Sequence, residues 1–357
     1  MFRIGRREEH TEIAMPRQFP CESGGARRNP RLSALIAGLG VAFFLGSAPP
    51  AAAVDKFAAE FLKIGVGARA LGMGGSFVSL ADDASAPYWN PAGLVQLEQR
   101  EAMLMYASQF GGVVNHQVGA LVAPLRSASS RAALGVTFIR LGVDGIRVTK
   151  DAFVRLDPNG NPVIDPSRIV EKSAYDLALL LTYALGFGDR WSAGWNVKLI
   201  RQSLVGEGAS FGVGADFGLR FQPSPSLAFG LRMADITTTQ LFWDTGRRET
   251  LAPTVTLGAH TTQEIPALQG RLTVGVDVGF AFEGQEADQF ETGSLSGNVF
   301  PGGEYWFRNV VALRAGSDAG RFAAGAGVRY RQFGADYAYL SHDELESTHR
   351  VSALFRF

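Results

Sequence analysis

From residue 101 to the last residue the chain alternates apolar side chains with polar or tiny ones, at a period of two. In residues 211–222, Phe211, Val213, Ala215, Phe217, Leu219 and Phe221 alternate with Gly212, Gly214, Asp216, Gly218, Arg220 and Gln222. Residues 271–283 repeat the pattern, with Leu272, Val274, Val276, Val278, Phe280 and Phe282 set against Thr273, Gly275, Asp277, Gly279, Ala281 and Glu283. A period of two with one apolar face is the mark of a β-strand. Strands of soluble sandwiches average about five or six residues. These segments run to ten or twelve, the length that crosses a bilayer at a tilt. Their apolar face is therefore expected to meet lipid.

Composition fits that reading. The chain has 43 Gly and 25 Phe, and only 19% of its residues are charged. No apolar run reaches the roughly 20 residues of a spanning helix. With 34 basic and 34 acidic residues, net charge gives no reason to expect nucleic acid or an acidic substrate. Candidate strands fall near 101–108, 116–124, 131–141, 172–186, 190–204, 208–222, 226–234, 253–262, 270–283, 297–307, 309–317, 321–331, 333–342 and 348–357. That makes fourteen, an even number, as a barrel with both termini on one side requires. Even-numbered strands leave by short turns, at 187–190, 223–226 and Arg308. Several odd-numbered ones leave by long loops, at 142–171, 235–252 and 284–296. Outer-membrane barrels show this alternation of short periplasmic turns and long external loops.

Aromatics near strand ends on the outward parity (Tyr175, Tyr183, Trp191, Trp195, Tyr305, Phe307, Tyr337, Tyr339) suit an interfacial girdle. The chain closes on THRVSALFRF, whose Val351, Ala353, Phe355 and terminal Phe357 resemble the insertion signal of such barrels. At the other end, Arg27, Arg28 and Arg31 precede the apolar LSALIAGLGVAFFLG and then SAPPAAA. That order is a secretory signal peptide with cleavage after Ala53 and a mature start near Val54. Cys21, the single cysteine, falls inside the expected leader of residues 1–53, so a disulfide framework and thiolate metal sites are excluded from the mature chain.

About eight strands already enclose only side chains, whereas about sixteen leave an aqueous channel. A barrel of fourteen therefore needs a filler, and residues 54–100, rich in Gly and Ala and without a regular period, are the segment long enough to supply it. Inward parity positions Asp176, Asp216, Asp277 and Asp336 with Arg220, Arg232, Arg314, Arg329 and Arg356 form a mixed-charge wall suited to holding it. The expected fold is all-β: a transmembrane antiparallel barrel over 101–357 with an N-terminal hatch over 54–100 in its lumen.

Residues 63–94, KIGVGARALGMGGSFVSLADDASAPYWNPAGL, resemble the N-terminal signature of the PorV/PorQ branch of the FadL-like outer-membrane proteins. The matching elements are Gly67-Ala68-Arg69-Ala70, Gly72-Met73-Gly74, Ala81-Asp82-Asp83-Ala84 and Asn90-Pro91-Ala92-Gly93. The resemblance implies a fourteen-stranded barrel with a lumenal hatch in the outer membrane of a diderm bacterium. It also implies a non-enzymatic role in holding or shuttling exported proteins at the cell surface, as in type IX secretion. The alternative it carries is a FadL-type transporter of long-chain fatty acids or other small hydrophobic molecules. That alternative requires an apolar pocket leading past the hatch and an opening in the wall; Leu134, Val136 and Phe138 of the third strand neighbour the long loop.

Other chemistries find little footing. Gly65-Val66-Gly67 lacks the βαβ frame of a dinucleotide loop. The five His are scattered and have no ligand spacing, so neither metal nor cofactor is expected. Adjacent Asp82 and Asp83 send their side chains apart, which favours hydrogen bonding within the hatch over acid–base work. Asn90-Pro91 reads as a turn, and Asp157-Pro158-Asn159-Gly160-Asn161 as another. Partner or ligand contacts are expected at the external loops, through Phe153 and through Leu241, Phe242 and Trp243. The other expected partners are outer-membrane lipid and the machinery that inserts a monomeric barrel.

Overall fold

The computed structural model describes residues 59–127, 130–206, 208–282, 289–342 and 347–357. The expected leader and signal peptide over 1–53, Cys21, and the start of the mature chain at Val54 lie outside the described residues.

The alternating segments form long strands: β1 (Glu101–Gln109), β2 (Val114–Ser127), β3 (Ser130–Val148), β4 (Val170–Phe187) and β5 (Trp191–Leu204). They continue as β6 (Gly208–Ser224), β7 (Leu227–Ala234), β8 (Thr254–Ile265), β9 (Gly270–Ala281) and β10 (Leu295–Phe307). The last four are β11 (Val311–Asp318), β12 (Arg321–Tyr330), β13 (Phe333–Leu340) and β14 (Thr348–Arg356). Each pairs antiparallel with the next, and β14 returns to β1 from Glu101↔Arg356 to Ser108↔His349. Closure leaves no edge, which is the condition for β-structure in lipid. The outward parity is apolar and exposed, as at Leu104 (69%) and Leu313 (62%). Aromatic side chains stack across neighbouring strands at the turn end, with Trp191 and Phe221 4.3 Å apart. Among the described residues no helix is long and apolar enough to cross a membrane.

Two loops differ from the reading of the sequence. Strands β3 and β4 keep pairing beyond their apolar stretch, through Ile146↔Lys172 to Val148↔Val170. The loop expected over 142–171 is thus 149–169, because backbone hydrogen bonding outlasts the lipid-facing pattern. Within it Phe153–Leu156 pairs with Pro162–Ile164 in a separate two-stranded sheet. The Asp157 carboxylate closes that hairpin by accepting the backbone N–H groups of Asn159 and Asn161, both at 2.8 Å. These bonds, the one from Asn161 foremost, hold the Asp157 carboxyl below its ordinary pKa.

The second loop follows β7, which is only eight residues long. The outer half of β6 is covered instead by a returning strand, Gln240–Trp243, in register from Gln240↔Val213 to Trp243↔Ser210. Alternation along that strand turns Leu241 inward, where it is fully buried, and leaves Phe242 42% exposed. Leu241 is therefore a packing residue and not the rim contact expected from the sequence.

Residues 59–97 lie inside the ring. They comprise two short helices, α1 (Ala68–Gly72) and α2 (Ala86–Trp89), and 3-10 turns at Glu60–Lys63 and Pro91–Gln96. Asn90 caps the second turn, its Oδ1 accepting the Ala92 N–H at 3.1 Å. The hatch backbone runs against small residues of the wall. A Cβ added to Gly325 of β12 would stand 3.0 Å from Gly72 Cα, and one on Gly230 of β7 would stand 2.7 Å from Ser79 Cα. Gly302 of β10 and Gly316 of β11 meet Met73, and Gly194 of β5 meets Pro91. Gly74, at φ +66°, takes the left-handed turn where the hatch backbone crosses Ser317.

Candidate functional site

The hatch is fastened to the wall by charged side chains that the strand alternation points inward. Arg69 on α1 donates to both Glu304 oxygens of β10, from Nε and Nη2, each at 2.8 Å. Its Nη1 donates to Asp82 at 2.6 Å and Asp83 at 3.0 Å. The two aspartates therefore converge on one guanidinium instead of diverging, because the chain turns between them and α1. Glu304 also accepts from Arg314 Nε of β11 at 2.6 Å, and Arg314 reaches Asp336 of β13 at 2.8 Å. A bidentate, buried arrangement of this kind is geometrically selective for Arg.

Further contacts spread round the ring. Asp277 Oδ2 of β9 accepts the backbone N–H groups of Phe77 and Val78, both at 2.7 Å. Arg220 Nε of β6 donates to the Ser79 carbonyl at 2.8 Å. Asn90 Nδ2 donates to the carbonyls of Val78 at 2.8 Å and Leu219 at 3.1 Å. Asn196 of β5 donates to the Pro87 carbonyl at 2.7 Å. Pro91 packs over Gly194 and Gly218, and Gly67, at φ +83°, donates its N–H to Met105 Sδ.

On the external side of the hatch lies a cavity of about 560 Å³. Its floor is Gly75, Val78, Tyr88 and Trp89 of the hatch, and its wall includes Leu180, Leu251 and Phe300. The Tyr88 hydroxyl donates to the Leu62 carbonyl at 2.6 Å and the Trp89 indole to the Val66 carbonyl at 2.7 Å, so both rings are held in place. Most charges in this wall are paired. Lys198 bridges Asp216 at 3.0 Å and Asp235 at 2.6 Å, Arg321 meets Asp318 at 2.6 Å, and Lys63 meets Glu60 at 2.8 Å. Arg232 lies over the Tyr88 ring, 5.0 Å from its centroid.

The structure thus brings Arg69, Asp82, Asp83 and Arg314 into one network and sets Asp216 and Arg232 at the cavity. Asp176 stands apart, accepting from Gln202 at 3.0 Å, and Arg329 lies over the buried Trp306 ring at 4.1 Å. Phe153 is exposed on the external hairpin, Trp243 is half-buried, and Phe357 is exposed at the closing seam, where Phe355 and Phe357 stack at 5.4 Å. Glu304, Lys198 and Trp306 were missed in the sequence. All three share the inward parity of their strands, and that parity is the signal that could have found them. The wall is continuous beside Leu134, Val136 and Phe138: β3 pairs without a break with β2 and β4 through these residues.

No protein-family model matches the chain, and no curated protein matches it. Solved structures do. The toluene transporter TbuX of Ralstonia pickettii is 14% identical with a TM-score of 0.51, over 82% of this chain and 98% of that one. The Pseudomonas putida toluene transporter TodX is 15% identical with a TM-score of 0.50, over 81% and 96%. A Pseudomonas aeruginosa FadL homologue is 12% identical with a TM-score of 0.50, over 82% and 98%. Identities this low establish the fold alone: a closed antiparallel barrel, here of fourteen strands, like that of these neighbours.

Proposed function

We propose that the chain is an outer-membrane channel for small, uncharged hydrophobic molecules, with the cavity over the hatch as its binding site. The observation that carries this reading is the cavity itself, about 560 Å³ with an aromatic floor. That volume lies in the range of small-molecule pockets, and its convergent aromatic and polar lining is typical of them. Lys198, Arg321 and Lys63 are each paired with a carboxylate, so an anion would have to displace a partner to reach them, while Arg232 faces the Tyr88 ring; a neutral ligand displaces no ion pair. The toluene transporters of the same fold support the choice of cargo. An outer-membrane location follows from the lipid-facing belt and the alternation of short turns and long loops.

The test is uptake of radiolabelled toluene by proteoliposomes. Gly279 faces the cavity, where a Cβ would stand 3.3 Å from the Phe300 ring. Gly279→Trp is expected to lower uptake at least tenfold with heat-modifiable gel migration retained. Equal uptake by the variant and the parent would overturn the reading.

The protein-shuttling role implied by the PorV/PorQ resemblance draws no support from these structural neighbours. It rests on one observation, the external hairpin with Phe153, Val154 and Leu156 exposed, and stands as the second reading.

A further inference from the structure

One row of residues on the outward parity differs from the lipid-facing belt beside it. Arg140 of β3 lies opposite Leu177 of β4, and Leu177 opposite Arg201 of β5. Arg201 in turn meets Phe211 of β6, Phe211 meets Phe242 of the returning strand, and Phe242 meets Arg248. Phe211 and Phe242 are exposed, as are Arg201 and Arg248. Strands are spaced about 4.8 Å apart, so Arg140 and Arg248 stand about 10–15 Å from the central Arg201. The next outward residues on the belt side of the row, Phe138, Leu179, Leu199 and Val213, are all apolar. Arg201 lies about ten residues along β5 from Trp191 of the turn-end aromatics. At about 3.3 Å per residue and a tilt of about 40°, that is a rise of about 25 Å, the height of the apolar band of an outer-membrane barrel. The row thus crosses the external rim of the belt, where lipid headgroups lie.

These cations have little acidic company. Among the described residues neither Arg201 nor Arg248 forms an ion pair. The Arg248 guanidinium lies instead over the Phe242 ring, 5.5 Å from its centroid. Arg140 reaches only the exposed Asp144, at 3.4 Å. Glu249, next to Arg248, turns inward and is held by Arg247 at 3.0 Å. The row therefore sets three guanidinium groups among apolar side chains, on a face that continues directly into the lipid-facing wall. A guanidinium matches phosphate bidentately, and its stem packs on apolar surface. A lipid whose acyl chains lie along Leu199 and Val213 brings its headgroup to the arginines. We propose that Arg140, Arg201 and Arg248 form a binding surface for the phosphate groups of an anionic lipid of the external leaflet. Charge complementarity and continuity with the lipid-facing belt carry the assignment. The surface lies on the outside of the wall, away from the cavity, so the inference goes beyond the channel reading and is independent of cargo.

The experiment is native mass spectrometry of the intact barrel released from detergent micelles. It is titrated with diphosphoryl lipid A and with the same lipid stripped of both phosphates. The parent is expected to hold the phosphorylated lipid at least tenfold more tightly. Arg201→Gln combined with Arg248→Gln should weaken that binding at least tenfold. Arg308→Gln is the control, because Arg308 at the turn end also lies over an aromatic ring, 5.0 Å from the Phe307 centroid; its binding should stay within twofold of the parent. Equal binding of the two lipids by the parent overturns the proposal, as does a double variant that binds like the parent. A loss in Arg308→Gln as large as that in the double variant overturns it by showing a response to charge alone. Inorganic phosphate that displaces the lipid at equal concentration assigns the row to a free anion and overturns it likewise. Should the double variant lack heat-modifiable migration, the comparison of the two lipids on the parent decides.

Discussion

Arg69 concentrates three carboxylates on one guanidinium, and Glu304 in turn is shared by two arginines. All but Asp82 are buried, so removing one member leaves an uncompensated charge in a dry interior. That costs about 3–5 kcal/mol. Glu304→Gln is therefore expected to lower stability by about that amount, read from guanidinium unfolding in detergent, whereas Glu60→Gln on the exposed Lys63 pair should change it by less than about 1 kcal/mol. The sequence marked Arg69, Asp82 and Asp83 as hatch residues but could not join them. They stand thirteen and fourteen positions apart, and Glu304 lies 235 residues from Arg69. The turn of the hatch and its place against β10 create the site, and no local spacing records either.

At the scale of elements, the fourteen strands were legible because every lipid-facing position must be apolar, which writes the period directly into the sequence. Their ends were less so. Past the bilayer nothing enforces the alternation, and β3 continues to Val148 on backbone pairing. The inward glycines were visible as tiny residues in strands, but what they admit was not. Gly325 lets α1 lie on β12, and Gly302, Gly316 and Gly230 let the following hatch backbone cross β10, β11 and β7. A side chain at such a point overpacks a contact made with backbone, which cannot swing aside. Gly325→Val is expected to cost about 1–3 kcal/mol in the same unfolding experiment. It should also admit ion current in planar bilayers, where the parent barrel is closed by its hatch. Val328→Ala, on the lipid-facing parity of the same strand, serves as the control without current.

At the scale of the molecule, the cavity and the external hairpin lie on different parts of the chain, so the two functional readings separate cleanly. Deleting residues 153–164 removes the exposed Phe153, Val154 and Leu156 and leaves every cavity-lining residue in place. Toluene uptake is expected to stay within twofold of the parent; a collapse of uptake would assign the hairpin to the channel. The barrel, its strand number and the presence of a lumenal segment could be read in advance because they follow from the bilayer and from lumen size. Cargo could not be read, because the cavity is assembled from the hatch and the external ends of several strands. One consequence of the closure concerns the order of folding. The Ala68 N–H meets Ser352 Oγ across 284 residues, and Arg100 and Phe357 exchange backbone hydrogen bonds at the seam. The part of the hatch that docks on β14 is thus among the earliest described residues to leave the ribosome and gains that partner only when the last strand arrives. Contacts of such high sequence separation fold slowly. Closing the seam around the hatch is then expected to be a slow step of folding.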